Sequence, residues 1–305
     1  VLGDTAGDIG NSYALTVQKF ADFWSIHSTE FDVVFVLGDR FEMAAAVAAG
    51  IPFNINFAHI HGGETTLGAI DNIYRHSISL ASKWHFVSLP QFKNRLESIL
   101  DCKDNIYAVG ALGLDNVKNI ALLNLNEFHA KWHIDLNHPS ILITVHPETV
   151  ASTINESYAE ELYKSLSVLV NDYQLVITMP NADTLGSLYR VKYDKLKDTF
   201  PSRVFLIENF GTESYFTAMK YASVMLGNTS SGIIEAASFQ QYVVNLGDRQ
   251  KGRIAGENVI DVNFKSEDII ETVKSFKGKT YQGPNIYHKE DVANQIIQIV
   301  EDNEL

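Results

Sequence analysis

The 305-residue chain is long enough for two domains, and its 46% hydrophobic and 20% charged residues are typical of a globular protein. The 24 Lys and Arg residues against 37 Asp and Glu residues give a formal net charge of -13, which opposes nonspecific binding to nucleic acid or anionic lipid. A phosphate-bearing ligand therefore requires a local cationic site.

Cysteine content and hydropathy indicate the expected compartment. Cys102 is the single cysteine, which excludes an intrachain disulfide, and no apolar run approaches the roughly 20 residues of a membrane span. We therefore expect a cytoplasmic protein. The chain opens Val1-Leu2-Gly3-Asp4, without an initiator Met or the basic-then-apolar order of a signal peptide, so we expect it to start part-way through a longer protein.

Short β-branched or aromatic runs alternate with longer helical stretches from residue 31 onward. This alternation predicts an α/β fold with parallel sheets. Strands are predicted at 31–37, 54–60, 84–88 and 105–109, with helices at 41–49, 71–83, 90–100 and about 113–123. A second series of strands is predicted at 140–145, 174–179, 204–207, 224–227 and 242–246. Two Rossmann-like halves result.

The boundary between the two halves is expected in the polar stretch 124–139. No strong strand signal falls there, and the alternation restarts after it, so we place the boundary near Glu127. The predicted domains are 1–126 and 127–305. A last helix at about 290–303 could pack on either domain.

Gly38-Asp39-Arg40 directly follows the first predicted strand. In open α/β sheets, ligands bind outside the carboxyl ends of strands. A carboxylate beside a guanidinium at such a position can hold an ionised base next to an anion site, and Gly38 permits a tight turn. The alternative is that Asp39 caps the helix predicted from Phe41 and that Arg40 is a surface residue.

The segment 59–64, His-Ile-His-Gly-Gly-Glu, follows the second predicted strand. In an extended strand His59 and His61 point to the same side, so a nearby carboxylate could complete a metal site with them. Alternatively, the Gly-Gly pair marks a loop that approaches a ligand closely, with Asp71 and Arg75 on the next helix facing the same cleft. A polar loop without chemistry is the third possibility.

His146 ends the first strand of the second series, in the segment 144–149, Thr-Val-His-Pro-Glu-Thr. A histidine here can donate to a phosphate or supply a proton, because its reference pKa of about 6.5 is tunable by a neighbouring anion. A surface histidine is the alternative.

The segment 227–235, Gly-Asn-Thr-Ser-Ser-Gly-Ile-Ile-Glu, leads from a strand into a helix. Such a turn presents free backbone N–H groups and the positive end of a helix dipole, which together bind anions. Ser231 and Glu235 share a helix face, so a pyrophosphate at Ser230 and Ser231 leaves Glu235 within reach of a ribose. An ordinary Ser N-cap with a first-turn Glu is the alternative.

Three cations, Arg249, Lys251 and Arg253, lie within five residues after the next strand and are flanked by Gly247 and Gly252. They predict phosphate neutralisation, with a solvated run of charges as the alternative. Because all five polar segments follow strands of two facing Rossmann halves, their joint occurrence favours one cleft between the domains.

Together these motifs resemble the UDP-N-acetylglucosamine 2-epimerase family, and most of all its hydrolysing members that supply sialic-acid-type sugar synthesis. The resemblance runs in order and at consistent spacing from about residue 32 to 262. It is carried by the segments 37–40, 59–64, 71–76, 144–148, 181–183, 227–235 and 247–258. It implies two Rossmann-like domains of the glycosyltransferase-B type with the nucleotide sugar in the cleft between them.

The resemblance also implies roles for single residues. Catalytic positions match Asp39, Glu64, Asp71 and His146. Substrate-binding positions are expected at Arg40, His61, Arg75, Asn181, Ser230, Ser231, Glu235, Arg249 and Arg253. Several relatives carry Glu where this chain has His61, so which acid performs which proton transfer stays open.

One further departure concerns the start of the chain. The family opens with a strand and a Gly- and Arg-containing turn that this sequence lacks. At 30 or more residues for each βαβ unit, roughly 60 residues are expected to be missing. The N-terminal domain is therefore expected to be truncated and its half of the site incomplete.

The implied reaction converts UDP-N-acetylglucosamine to N-acetylmannosamine and UDP, by elimination to a glycal and hydration. Alternatives are the same reaction on a UDP- or GDP-linked 2,4-diacetamido or related amino sugar, a sugar transferase of the same fold, the metallohydrolase, and a UDP-binding sensor without turnover. No cofactor or metal is expected, because Arg40, Arg249 and a helix N-terminus can neutralise the pyrophosphate. Family members are commonly dimers or tetramers, so a homo-oligomer is expected.

Overall fold

The computed structural model describes residues 5–67, 70–148, 152–180 and 186–304. Its contacts divide the chain into two compact units, the first formed by Val1–Asn116 with Ile286–Leu305 and the second by Val117–Asn285. No helix of the described ranges is both long and apolar enough to cross a membrane.

Helices and strands alternate along the first third of the chain. In order they are α1 (Ala6–His27), β1 (Val34–Leu37), α2 (Phe41–Gly50), β2 (Phe57–Ile60), α3 (Asp71–Leu80), β3 (Trp84–Val87), α4 (Pro90–Leu100), β4 (Ile106–Ala108) and α5 (Gly113–Asn119).

The same alternation continues through the rest of the chain. The elements are α6 (Leu125–Trp132), β5 (Ser140–Thr144), α7 (Asn155–Leu169), β6 (Gln174–Thr178), α8 (Gly186–Thr199), β7 (Val204–Ile207), α9 (Gly211–Tyr221), β8 (Val224–Gly227), α10 (Ser230–Ile234), β9 (Val243–Leu246), β10 (Val259–Val262), α11 (Ser266–Ser275) and α12 (Val292–Glu304).

The first unit is a parallel sheet in the order β1-β2-β3-β4 with an apolar cluster on each face. One cluster joins Trp24 of α1 and Val47 of α2 to Phe57 of β2. The other joins Phe86 of β3 to Val292 and others of α12. The last helix therefore packs on the first unit.

The second unit is a parallel sheet in the order β10-β9-β8-β5-β6-β7. Counted from β5, this is the 3-2-1-4-5-6 order of the Rossmann fold, with its switch point between β5 and β8. Successive β5 residues alternate between the two apolar clusters, since Ile141 and Ile143 belong to one and Leu142 to the other. The prediction of an α/β protein with two Rossmann-like domains is confirmed.

The limits of the two units differ from the division expected near Glu127. Val117, Ile120, Leu122 and Leu123 pack against the core of the second unit, and the Leu123 N–H donates to the Thr217 hydroxyl. The apolar side of α12 instead packs on the first sheet, so residues 286–305 lie with residues 1–116.

Candidate functional site

Arg75 is the centre of a polar cluster at the carboxyl ends of the first unit's strands. Its side chain is 1% exposed, and its guanidinium donates to the Asp39 carboxylate, to the Glu64 carbonyl at 3.1 Å and to the Thr66 hydroxyl at 3.2 Å. The sequence places Arg75 among the substrate-binding residues. In the structure its guanidinium fixes the loop after β2 and a predicted catalytic carboxylate.

Asp39 keeps part of its carboxylate accessible while held by Arg75, since its side chain is 24% exposed. The alternative role of Asp39 as the cap of α2 is wrong. Arg40 occupies the N-cap position and makes no side-chain cap hydrogen bond. The Arg40 guanidinium is exposed and donates to Glu42 at 3.2 Å.

Glu64 is buried and pairs with His61. The His61 Nδ1 lies 2.8 Å from Glu64 Oε1, and the Ser88 hydroxyl donates to the same oxygen at 2.9 Å. Ser88 comes directly after β3, so a third strand end contributes to the cluster. An ionised Glu64 fixes the His61 ring by accepting from Nδ1, which leaves Nε2 as the ring's other proton-transfer atom.

His59 lies deeper and is held at both ring nitrogens. Its Nε2 donates to the Gly38 carbonyl at 2.8 Å, and its Nδ1 lies 2.9 Å from the Ser79 hydroxyl. Burial lowers the pKa of His59 to about 3, so the ring is neutral. A neutral ring that donates from Nε2 has an acceptor at Nδ1, so the single Ser79 hydroxyl proton is shared between this nitrogen and the Arg75 carbonyl at 3.0 Å.

This geometry disfavours the metal site at His59 and His61. The two side chains do not continue one strand face, because β2 ends at Ile60 and His61 has φ 68°. Within the described ranges, no group of three or more His, Cys, Asp or Glu side chains is placed to hold a metal ion.

Asp71 begins α3, so it lies one turn before Arg75 on the same helix face. Its neighbour Asn72 accepts from the Thr66 N–H at 3.3 Å, which ties the start of α3 to the loop after β2. The structure therefore brings Asp39, His61, Glu64, Asp71 and Arg75 onto adjoining segments of one unit.

In the second unit, Gly227 at the end of β8 lies directly against Thr144 of β5, at the switch point. A Cβ at this position would lie 1.9 Å from the Thr144 carbonyl oxygen, so only glycine permits the approach. The next residue, Asn228, accepts from the His146 N–H at 2.7 Å and donates to the His146 carbonyl at 2.8 Å. His146 is therefore fixed at the carboxyl ends of the two central strands.

The loop after β9 closes over the same strand ends. The Arg249 guanidinium and the Gln250 amide both donate to the Asn228 carbonyl, at 3.2 and 2.8 Å. Arg253 donates to Gln250 at 2.9 Å. Lys251 does not join the other two cations of the predicted run, because it is exposed and pairs with Asp248.

Glu148 anchors this loop from the β5 side. Its buried carboxylate accepts from the Asp248 N–H at 2.7 Å, and Asn155 bonds both its N–H and its carbonyl at 2.9 Å. Burial raises the pKa of Glu148. A Cβ at Gly247, which has φ 66°, would come within 2.5 Å of the Glu148 carboxylate, so this turn also requires glycine.

Ser230 and Ser231 open α10 as predicted, but the capping residue is Thr229, whose hydroxyl accepts from the Ser231 N–H at 3.4 Å. Glu235 is the C-cap residue of this five-residue helix and not a first-turn acid. So short a helix carries a weak dipole, which leaves anion binding to the N–H groups, the hydroxyls and nearby cations. Tyr215 also lies here, and its burial raises the pKa of its phenol, although hydrogen bonding with the Ser231 and Thr144 hydroxyls acts in the opposite direction.

Sequence reasoning missed three buried polar residues that organise these clusters, Ser88, Glu148 and Asn228. The signal for Asn228 and Glu148 was their position just after strands, within segments already singled out. Asn181, also predicted to bind substrate, lies outside the described residues.

With the geometry established, comparison with known proteins decides the family. Residues 1–301 match the sequence profile of the UDP-N-acetylglucosamine 2-epimerase family. The chain belongs to this family. Its members are nucleotide-sugar 2-epimerases, and the resemblance carried by the motifs is confirmed.

Curated relatives align over most of the chain. Polysialic acid biosynthesis protein P7 of Escherichia coli is 31% identical over 297 residues, which are 96% of this chain and 75% of that protein. GDP/UDP-N,N'-diacetylbacillosamine 2-epimerase (hydrolyzing) of Campylobacter jejuni is 35% identical over 257 residues, 84% of this chain and 66% of that protein. The chain thus spans about two thirds to three quarters of these relatives.

Solved structures of family members share the fold. The UDP-GlcNAc 2-epimerase of Neisseria meningitidis, bound to UDP-GlcNAc, superposes with a TM-score of 0.77 at 20% identity, over 97% of this chain and 82% of that one. The enzyme of Methanocaldococcus jannaschii, in complex with UDP-GlcNAc and UDP, gives a TM-score of 0.79 at 17% identity, over 97% and 82%. The glycosyltransferase-B type of fold is confirmed.

Proposed function

We propose that this family member is a hydrolysing 2-epimerase that converts UDP-N-acetylglucosamine and water to N-acetylmannosamine and UDP. The observation that carries the proposal is the division of chemistry between the units. The first unit holds carboxylates around Arg75, and the second holds His146 and Arg249 at a Rossmann switch point. Acid–base groups and an anion site are the two requirements of this reaction.

The first step is elimination. A carboxylate takes the C2 proton, the C2–H electrons form the C1=C2 bond, and the C1–O bond breaks with its electrons going to UDP. We assign the base to Asp39, because its carboxylate is part-exposed while Arg75 fixes its direction. Glu64 is buried against His61 and Ser88, so it acts by holding His61.

The second step is hydration of the glycal. Water adds to C1, and a proton is delivered to C2 on the face opposite the one that lost it, which gives the manno configuration. The His61 and Glu64 pair is our candidate for delivering a proton, with Asp71 as the alternative acid. The sum is one nucleotide sugar and one water giving free sugar and UDP.

The second unit binds and stabilises the leaving nucleotide. Ser230, Ser231 and Arg249 are assigned to the pyrophosphate, and Glu235 to the ribose. His146 is assigned to the charge that grows on the leaving phosphate, where a fixed donor lowers the barrier. Redox chemistry has no part in this scheme, and cationic side chains take the place that a metal would otherwise fill.

A second substrate class has specific support. The relatives at 35% identity act, by name, on N,N'-diacetylbacillosamine nucleotides, whereas the Neisseria meningitidis UDP-N-acetylglucosamine 2-epimerase is 29% identical over 279 residues. The same reaction on a UDP-linked 2,4-diacetamido sugar is therefore the second candidate.

The test supplies the protein with UDP-N-acetylglucosamine or with the UDP-linked 2,4-diacetamido sugar and no acceptor, and measures UDP and free sugar. Release of equal amounts of both supports hydrolysis, and the faster substrate identifies the class. A sugar transferase releases little without an acceptor, and a sensor binds UDP without turnover. Either of those outcomes would overturn the proposal.

A further inference from the structure

Asn228 occupies a central position in the second unit that the proposed chemistry does not use. It is completely buried and directly follows β8. Its carboxamide bonds both the N–H and the carbonyl of His146, whose own position in the chain is 82 residues away. A pair of bonds to one residue fixes both the position and the orientation of that backbone unit.

The main chain of Asn228 fixes the cationic loop as well. Its carbonyl accepts from Arg249 at 3.2 Å and from the buried Gln250 at 2.8 Å. One residue thus touches the histidine segment through its side chain and the arginine segment through its backbone. A shift of Asn228 moves both groups that we assign to the nucleotide.

Glu148 adds a second link between the His146 segment and the loop that carries Arg249. It lies two residues after His146 and accepts from the Asp248 N–H, one residue before Arg249. The ends of β5, β8 and β9 are therefore joined by buried and part-buried hydrogen bonds, and the buried ones are costly to break without replacement.

We infer that Asn228 is the positioning residue of the nucleotide site, setting His146 and Arg249 relative to one another without touching the ligand. The inference rests on the proposed function, because it takes UDP as the ligand. Asn is suited to this place because its amide offers a donor and an acceptor side by side. Asn228→Asp has the same size but puts an oxygen against the His146 carbonyl, where the donor is required.

The matched control is Asn258→Asp. Asn258 is equally buried in the same unit and donates to the Gln241 carbonyl at 3.0 Å. It precedes β10, at the opposite ends of the strands from His146. The control therefore reports the effect of the same chemical change on folding alone.

The experiment measures UDP affinity by calorimetry, and thermal unfolding, for the wild type and both variants. Asn228→Asp should weaken UDP binding at least tenfold, whereas Asn258→Asp should lower the unfolding temperature and leave UDP affinity unchanged. Combined with His146→Ala, Asn228→Asp should cost less affinity than the sum of the two single changes, because the Asn228 carboxamide acts through His146. Asn258→Asp should add to His146→Ala in full.

The outcomes separate the two claims. A wild type that binds no UDP defeats the proposed function. A wild type that binds UDP, with an Asn228→Asp variant of equal affinity or with fully additive losses, overturns the positioning role. If Asn228→Asp does not fold, Asn228→Ser removes the same pair of bonds with a smaller side chain, and unchanged affinity in that variant also overturns the inference.

Discussion

The carboxylates of the first unit differ in what holds them, and this difference predicts their roles. Asp39 is part-exposed on Arg75, while Glu64 is 1% exposed and engaged by His61 and Ser88. A base must reach its proton directly, so Asp39 is the better candidate, and Glu64 acts through the ring that it orients.

We therefore expect Asp39→Asn, which keeps the size of the side chain but removes its basicity, to lower kcat by about 10²-fold or more. UDP affinity should change little, because the nucleotide contacts lie in the other unit. Steady-state turnover and UDP calorimetry check both statements. Asp22→Asn, on an exposed part of α1, is the control and should turn over normally. Normal turnover of Asp39→Asn beside an inactive Glu64→Gln or Asp71→Asn would show that the base is misassigned.

At the scale of elements, the sequence predicted buried strands better than helices that begin at a capping box or strands at the edge of a sheet. Buried runs such as 140–144 have no competing interpretation, and β5 forms there. The helix α1 was missed although Thr5 and Asp8 form a capping box, and α6 was missed although Asn124 and Glu127 form another. Strand β10 was missed because it is a four-residue edge strand with little burial.

The prediction for UDP binding concerns the short helix α10 and the residue that ends it. Ser231 and Glu235 lie one turn apart. We therefore expect a pyrophosphate bound at Ser231 to leave the ribose of UDP within reach of Glu235. Glu235→Ala should weaken UDP binding by about 1.5 to 3 kcal/mol, the scale of a hydrogen bond to a charged group. Calorimetry measures the loss. Glu271→Ala, on the exposed side of α11, should bind UDP like the wild type, and unchanged affinity in Glu235→Ala would remove this residue from the site.

At the scale of the whole molecule, long-range pairs decide the site, and the sequence could not supply them. Asp39 and Arg75 are 36 residues apart, and Glu148 reaches a backbone N–H 100 residues away. The position of each motif directly after a predicted strand placed these segments at the same ends of parallel strands, because the topology of such a sheet puts all those ends together. Which side chain would hold which backbone group depends on packing, so the sequence did not predict that Arg75 supports Asp39 and the loop after β2, and its role in substrate binding stays a prediction.

Two buried histidines predict how the stability of the fold depends on pH. His59 and His85 are neighbours on β2 and β3, and burial lowers their pKa values to about 3 and about 4. The unfolded chain takes up their protons near pH 6.5, so it binds more protons than the folded one as pH falls below that value. The contribution of the two neutral histidines to the free energy of unfolding should be complete above pH 6.5. Below that value the free energy of unfolding should fall by about 1.4 kcal/mol for each imidazole and pH unit, down to about pH 4.

Unfolding followed by tryptophan fluorescence at pH 7.5, 6 and 5 measures this slope, since Trp84 is buried on the same strand as His85. His85→Gln should make the dependence shallower, and His133→Gln, which removes an exposed side chain, should leave it unchanged. A stability that stays constant from pH 7.5 to 5 would contradict the neutral state of the buried rings.

The most direct test of the central claim follows C2 of the sugar during turnover. The protein is incubated with UDP-N-acetylglucosamine in deuterated water containing EDTA, and the products are identified by NMR. Elimination and hydration predict UDP and N-acetylmannosamine carrying deuterium at C2, formed without added metal. Released sugar that keeps its original proton at C2, or that keeps the gluco configuration, would contradict the account.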